Sequence, residues 1–440
     1  MNQILQQFVL LLTILAPSSL AQYCSKRPTG CCPGRDDACH VRYRDTLCYC
    51  DLFCERTQSD CCPDFFNYCL GQELKKPTIS PKGICIFNGQ ELIEGQQTKV
   101  NCQTCTCLPD FFGGHEIICN NKACLIREDL NQRINQGDYG WTAGNYSFLW
   151  GLTLEEGITY RLGTLEPAEM VSRMTEVKLE YETPLPDSFD ARDKWPGFIE
   201  KVMDQGHCGS SWAFSTTAVA SDRHAIQSEG KMDMLLSPQN LLSCNTRGQR
   251  GCDGGHLDRA WWYMRKRGVV TDNCYPYMSG QSKDAEMKKY SCMLPGEVTE
   301  PCPNVKETSG KYKTSPPYRI STKEDDIRAE IMSNGPVQAS FEVKEDFYAY
   351  AGGVYKYSDA AANDSPDQKE TGWHSIRIIG WGTDYSDPRD PKDYWLCANS
   401  WGTSWGEDGY FRIIRGQNEC QIESFVLGVW AHLDEDTMPQ

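Results

Sequence analysis

The segment from Gln205 to Ser215 reads Q-G-H-C-G-S-S-W-A-F-S. Its apolar residues continue at roughly helical spacing through Ala218, Val219 and Ile226, which predicts an apolar helix that begins near Ser211. A nucleophile at this point would feel the positive end of the helix dipole. The stretch therefore predicts a helix N-terminus suited to a reactive side chain.

This stretch resembles the active-site segment of the papain-like cysteine proteases, most nearly cathepsin B. In that family the residue directly before W-A-F-S is the catalytic cysteine, whereas here it is Ser211. The resemblance is continuous from Leu185 to about His432. Its motifs recur in the family's order: L-P-D-S-F-D-A-R from 185, G-G at 254, N-G-P-V at 334, G-W-G at 380 and A-N-S-W-G at 398.

The resemblance implies an α+β, papain-like two-lobed cysteine-protease fold preceded by small disulfide-rich modules. One lobe is expected to be mostly helical and opened by the Ser211 helix, and the other to be a β-barrel-like sheet. Short apolar runs at 375–380 and 410–414 agree with a β-rich second lobe.

A papain-like protease needs a thiolate nucleophile, an imidazole, an orienting amide and an oxyanion donor. The resemblance places His374 at the catalytic histidine, Asn399 at the orienting amide and Gln205 at the oxyanion side chain. The nucleophilic thiol is missing. Cys208 does not replace it, because in the family this cysteine is structural and pairs with the one at Cys252.

The exchange of sulfur for oxygen predicts inactivity. A cysteine starts near a pKa of about 8.5, and the pKa falls further beside an imidazolium and a helix N-terminus, whereas a serine hydroxyl is far less acidic. Serine enzymes use an imidazole held by a buried carboxylate, but the third group here is Asn399. His374 and Asn399 then have two open interpretations: packed parts of the seam between the lobes, or a groove that binds peptides without cutting them.

Two further positions depart from cathepsin B. The region from Cys274 to Cys302 contains no histidine, so the paired histidines that grip a substrate's C-terminal carboxylate are missing. Phe425 stands where cathepsin B has an acidic pocket residue, so a preference for arginine at that subsite is not expected. Because cathepsin B has no counterpart to Cys397, we expect a disulfide between Cys397 and Cys420.

The composition indicates the compartment of the protein and the kinds of partner it can bind. The 440 residues include 24 cysteines, a density typical of a disulfide framework in an oxidising compartment. The net charge of −16 is spread along the chain, which gives no basic footprint for nucleic acid. An apolar run from Phe8 to Ala16, followed by S-L-A before Gln22, predicts a cleaved signal peptide. No later stretch approaches the roughly 18 apolar residues of a membrane span, so a secreted protein is expected.

Ten cysteines lie between 22 and 71, where C-Y-C-D-L-F-C and D-C-C-P-D-F-F resemble a somatomedin B module with two additional cysteines. Zinc binding is the rival interpretation, disfavoured by the secreted context and by the absence of paired histidines; no metal or cofactor is expected. The string N-C-Q-T-C-T-C resembles the first half of a von Willebrand factor type C module. Its six cysteines allow 15 connectivities.

Residues 126–184 resemble a cathepsin B propeptide, which in that family lies along the substrate groove until it is cut away. Asn145 and Asn363 begin N-glycosylation motifs, the second followed by Pro366. The predicted domains are a signal peptide 1–21, a somatomedin B-like module 22–71, a linker 72–82, a half von Willebrand factor C-like module 83–125, a propeptide-like region 126–184, a cathepsin B-like domain 185–432 and an acidic tail 433–440.

The order of these modules, with D-R-A-W-W-Y and I-E-S-F-V-L-G-V-W, resembles the tubulointerstitial nephritis antigen family. The resemblance implies a secreted, non-proteolytic glycoprotein of the extracellular matrix and basement membrane, with laminin, collagen and integrins as partners. Two alternatives stay open: a weak serine-dependent hydrolase, and a secreted ligand or decoy whose groove holds peptides without cleavage.

Overall fold

The computed structural model describes residues 23–43, 46–55, 61–71, 83–87, 89–110, 113–179, 181, 184–281, 291–294, 299–303, 308–364 and 366–433. The predicted signal peptide, the linker and all but the first residue of the acidic tail lie outside this part of the chain. The described chain divides into two compact units. One lies within Met1–Thr98 and Cys105–Cys119, and the other within Lys99–Thr104 and Asn120–Gln440.

The first unit is small and is held by cysteines. Its elements are β1 (His40–Tyr43), β2 (Thr46–Tyr49), α1 (Phe65–Leu70), β3 (Ile84–Phe87), β4 (Gln90–Ile93) and β7 (His115–Cys119), with β5 (Gln97–Val100) and β6 (Gln103–Pro109) at its boundary. The core of its N-terminal part consists of buried cysteines around Phe65. A piece with so few aliphatic residues depends on cross-links in place of a large apolar core.

The structure resolves the connectivity that the sequence left open. The N-terminal module is closed by Cys24–Cys50, Cys31–Cys69, Cys32–Cys39, Cys48–Cys62 and Cys54–Cys61. The next six cysteines pair as Cys85–Cys107, Cys102–Cys124 and Cys105–Cys119. Among the residues described, no helix is both long enough and apolar enough to cross a membrane.

The second unit contains the helices α2 (Glu128–Gln136), α3 (Leu154–Arg161), α4 (Glu169–Ser172), α5 (Ala191–Lys194), α6 (Ser211–Gln227), α7 (Pro238–Cys244), α8 (Leu257–Lys266), α9 (Glu324–Asn334) and α10 (Asp359–Ala362). Helix α6 begins at Ser211, which confirms the predicted start. It is buried from Ser211 to Ala225, and its inward hydroxyls are satisfied by carbonyls one turn back. Trp212 and Trp261 lie fully buried in the apolar core of this helical lobe.

The second lobe is a ten-stranded sheet. Its strands are β8 (Trp141–Ala143), β9 (Glu176–Val177), β10 (Phe189–Asp190), β13 (Tyr318–Ile320), β14 (Val337–Val343), β15 (Tyr350–Tyr355), β16 (Gly372–Asp384), β17 (Lys392–Ala398), β18 (Tyr410–Ile414) and β19 (Val426–Gly428); β11 (Thr299–Pro301) and β12 (Thr308–Gly310) form a separate hairpin. The order is β8-β15-β18-β17-β16-β14-β19-β13-β9, with β10 on β16. A helical lobe beside this sheet is the fold class that the sequence predicted, and it is confirmed.

The propeptide-like residues are built into this second unit. Strand β8 extends the sheet through β15, and β9 pairs with β13 in parallel. Leu130, Ile134 and Trp141 are buried in the same apolar cluster as the sheet lobe. Gly353 has φ +96°, and a Cβ there would lie 2.5 Å from the Gly140 carbonyl oxygen, so β15 and the residues before β8 approach as only glycine allows.

The predicted disulfide between Cys397 and Cys420 is wrong, since both cysteines are free. Cys397 lies in β17 opposite Phe411 and is fully buried, where it packs as a small apolar side chain. Burial raises the pKa of the Cys397 thiol well above its usual value. Cys420 lies in a short 3-10 helix, Glu419–Gln421, after β18, where its thiol points to Glu419.

Candidate functional site

Ser211 is the first residue of α6, and its side chain is fully buried. Its Oγ lies 2.8 Å from Oγ1 of Thr164, a residue of the propeptide-like region. Thr164 donates its own proton to Ser375 Oγ at 2.7 Å. A hydroxyl has one proton to give, so Ser211 is the donor to Thr164.

The hydrogen bonds continue from Ser375 as a closed path of buried hydroxyls. Ser375 Oγ lies 2.8 Å from Ser215 Oγ, and Ser215 donates to the Ser211 carbonyl at 2.8 Å. Gln338 Nε2 donates to Ser215 Oγ at 2.7 Å and fixes that end of the path. The Ser211 proton is thus directed away from an imidazole and into a network that returns to its own backbone.

His374 lies on β16, fully buried, with its ring 5.2 Å from Trp401. Its Nε2 lies 2.8 Å from Asn399 Oδ1, which also accepts from Ser400 N, so Nε2 carries the proton. Nδ1 has no hydrogen-bond partner among the described residues. Desolvation lowers the pKa of His374 to about 4, against the opposing effect of the Asn399 hydrogen bond. The imidazole is therefore neutral at pH 7, and no hydrogen bond links it to Ser211 within the described chain.

The position of an oxyanion hole is also occupied. The Leu162 carbonyl accepts from Gln205 Nε2 at 2.9 Å and from Ser211 N at 3.3 Å. The Gln205 side chain is held in this orientation by Ser400, whose Oγ donates to Gln205 Oε1 at 2.7 Å. These are the two donors that would stabilise a tetrahedral intermediate in a papain-like protease. Here they bind a main-chain carbonyl of the same protein.

The groove segment, residues 162–165, follows α3 and crosses the site from one lobe to the other. Its backbone pairs with Gly255 on the helical side, through Leu165 N to Gly255 O at 2.9 Å and Gly255 N to Gly163 O at 2.9 Å. On the sheet side, Thr164 N donates to Trp373 O at 3.2 Å. The segment therefore bridges both walls of the groove.

Gly163 makes this crossing possible. Its φ is +111°, and a Cβ there would fall 2.0 Å from the carbonyl oxygen of Gly209. Sequence reasoning missed Leu162 and Thr164, although a glycine between two leucines in L-G-T-L is a signal for close backbone approach. It also missed Ser375, which directly follows the family histidine position.

The other predicted residues have these surroundings. Cys208 is bonded to Cys252, the pairing implied by the family resemblance, just before the start of α6. Phe425 is buried in the core of the helical lobe, while Asn145 and Asn363 are exposed. Asn145 Oδ1 accepts from Asn131 Nδ2 at 2.7 Å. Glycosylation at either asparagine stays a prediction.

Comparisons with known proteins agree with this geometry. The sequence model of the papain family cysteine proteases matches residues 185–430. "Tubulointerstitial nephritis antigen-like" of Homo sapiens is 45% identical over 428 residues, covering 95% of this chain and 90% of that protein. "Tubulointerstitial nephritis antigen" of Bos taurus is 45% identical over 434 residues, covering 95% and 89%. Among solved structures, procathepsin B S9 from Trypanosoma congolense is 30% identical with a TM-score of 0.59, covering 71% of this chain and 100% of that chain.

The fold, with a preceding segment of the chain lying in the groove, is that of a papain-type proenzyme, and the chain belongs to the papain family of cysteine proteases. Within this family it belongs to the tubulointerstitial nephritis antigens, which match it along almost its whole length. The family predicted from the sequence is confirmed.

Proposed function

We propose that the protein is a secreted, catalytically inactive cathepsin B-like glycoprotein that acts as an adhesion or scaffold protein of the extracellular matrix. The proposed inactivity is supported by one observation: the groove segment occupies both the nucleophile position and the oxyanion hole. The Ser211 hydroxyl donates to Thr164, and the Leu162 carbonyl takes both oxyanion donors. A substrate carbonyl would have to displace this segment and would then meet an alcohol instead of a thiolate.

The extracellular part rests on the cysteines and on the relatives. Twenty-two of the 24 cysteines form the eleven disulfides of the described chain, which supports a location in an oxidising compartment. Relatives that match both units are named as nephritis antigens. Laminin, collagen and integrins are the proposed partners. A papain-like domain without catalysis would serve to bind other molecules.

Peptidase assays on the purified full chain test inactivity. We expect no turnover of peptide substrates by the wild type, and the same result for Ser211→Ala. Turnover that disappears in Ser211→Ala would overturn the proposal in favour of a serine-dependent hydrolase. Labelling of Ser211 by a fluorophosphonate probe would point the same way, with Ser210→Ala as the matched control at the neighbouring serine.

Binding assays test the adhesion role. The cysteine-rich modules and the full chain are passed separately over immobilised laminin and collagen, and integrin binding is measured on the retained fractions. Retention at physiological salt is expected. A chain that stays wholly unbound to matrix extract would overturn the proposed role.

A peptide-holding groove is the second candidate, and one observation favours it. Beside residues 162–165 the groove keeps a cavity of about 400 Å³, lined by Ile158, Leu165, Asp253 and Trp373 among others. A labelled papain-inhibitor peptide distinguishes the two. Binding by the wild type without turnover favours the peptide holder, whereas binding that appears only after the groove segment is released favours the scaffold.

A further inference from the structure

A basic surface lies on the helical lobe of this acidic protein. Residues 245–267 contain six cations and two aspartates, while the whole chain carries a net charge of −16. The six cations, here named the α8 cluster, are Arg247, Arg250, Arg259, Arg265, Lys266 and Arg267, and all are exposed. The expectation of charge spread along the chain missed this local excess, because a sum over 440 residues conceals it.

The cluster is not neutralised by its surroundings. None of the six forms an ion pair with a described residue, although ion pairs occupy many other arginines of the chain. Within the cluster, the Arg259 side chain donates a hydrogen bond from Nη1 to the Gly248 carbonyl. Lys313 lies next to Gly268, directly after the cluster, and is also exposed. The cations therefore keep their charge available for a ligand.

An aromatic ring lies among these charges. Trp262 is 44% exposed on α8, and the guanidinium of Arg247 lies 5.7 Å from its ring centroid. Together with Asn245, Gly248, Asp258 and Arg259 they line a cavity of about 400 Å³. Arg250 and Arg259 both lie near His256, and their charge contributes to the lowering of its pKa, after burial. The arginine side chains and the Trp262 ring thus line the same concave site.

The spacing of the cations indicates a polymeric ligand. Arg259 and Lys266 lie seven residues apart on α8, a rise of about 10 Å along the helix. A single small anion would contact one end of this row, whereas a polyanion contacts both. Five of the six cations are arginines, whose planar fork binds oxyanions through two parallel hydrogen bonds.

We propose that the α8 cluster, with the cavity at Trp262, is a binding site for a sulfated polysaccharide of the extracellular matrix. Its sulfate groups would pair with the arginines, and a sugar ring would lie against the exposed face of Trp262. The choice of this polyanion rests on the extracellular location proposed above, because nucleic acid is not the common polyanion there. The site itself does not depend on whether Ser211 is catalytic.

Immobilised heparin tests the site with the full secreted chain. We expect retention at about 0.15 M salt, with an affinity that falls steeply as salt rises because counterions are released. The variant Arg265→Gln/Lys266→Gln should bind about tenfold more weakly and show a shallower salt dependence. Arg247→Gln/Arg250→Gln should weaken heparin binding and its salt dependence to a similar extent. Trp262→Ala should lower the affinity and leave the salt dependence unchanged.

The matched control is Arg173→Gln/Arg389→Gln, which removes the same charge from two exposed arginines elsewhere. It should bind heparin as the wild type does, and thermal unfolding should show that all variants are folded. Equal losses in the control and the cluster variants, or no retention of the wild type, would overturn the proposal. So would single-stranded DNA or desulfated heparin competing as well as heparin. Laminin or collagen binding that persists without heparin binding would overturn this site alone and leave the proposed scaffold role standing.

Discussion

The two walls of the groove have kept different parts of the protease site. On the helical wall, Ser211 and Gln205 are fully engaged with the propeptide-like segment, through Thr164 and Leu162. On the sheet wall, His374 keeps its partner Asn399, yet its second nitrogen has no partner in the described chain. One half of the site has therefore become part of the protein's internal hydrogen bonding, while the other half persists as a buried, neutral base.

The largest expected effect is on the sheet wall and depends on pH. The pKa of His374 is lowered by burial to about 4, so in the folded state it stays neutral while the unfolded chain takes up a proton below its ordinary value of about 6.5. The contribution of His374 to the free energy of unfolding should therefore fall by up to about 3 kcal/mol as the pH falls from about 6.5 to 4. Urea unfolding across this range measures the loss.

The difference in the free energy of unfolding between the wild type and His374→Gln separates the contribution of this histidine from those of other titrating groups. The pKa values of Asp272 and Asp346 are raised by burial to about 6, which acts in the opposite direction because their neutral forms are favoured in the fold. The difference between the wild type and the variant should therefore shrink on acidification. A difference that does not change with pH would mean that His374 is not a buried neutral base.

The second-largest effect is expected on the helical wall, from a substitution that disturbs the packing of the groove segment. Gly163→Ala would place a Cβ against the Gly209 carbonyl at a φ of +111°, at a cost of about 2–3 kcal/mol. We expect lower stability and faster proteolytic cleavage within residues 162–165. Gly310→Ala is the control, since a Cβ there meets nothing within 4 Å. Equal behaviour of the two variants would contradict a tightly seated segment.

The sequence predicts the residues of the two walls but not the hydrogen bonds that link them to the groove segment. The fold, the helix at Ser211 and the positions of His374, Asn399 and Gln205 follow from motifs a few residues long. The partner of Ser211 does not, because Thr164 is 47 residues away and Ser375 is 211 from Thr164. Such contacts depend on how the segment crosses the groove, which no local pattern encodes. The wrong Cys397–Cys420 disulfide has a similar cause, since membership of one lobe does not bring two thiols together.

A third, smaller effect tests the hydroxyl network itself. Thr164→Val keeps the shape of the side chain but removes both the acceptor for Ser211 and the donor to Ser375, so the buried Ser211 hydroxyl loses its partner while Ser375 keeps its bond to Ser215. The expected loss is about 1–2 kcal/mol in urea unfolding, and Thr164→Ser should recover most of it. In a Ser211→Ala background the loss should be smaller, since one of the two bonds is already missing. Strict additivity would mean that Ser211 and Thr164 are not coupled.

The smallest effect on stability, and the sharpest test of the two walls, comes from Ser211→Cys. A thiol is a weaker donor than a hydroxyl, so the bond to Thr164 should weaken at a cost of about 1 kcal/mol or less. The segment would still cover the thiol, so alkylation by iodoacetamide should be slow and peptidase activity absent. Adding Gly163→Ala should expose the thiol and raise the alkylation rate by at least tenfold. Fast alkylation of Ser211→Cys alone would show that the segment leaves the groove readily and does not hold the helical wall closed.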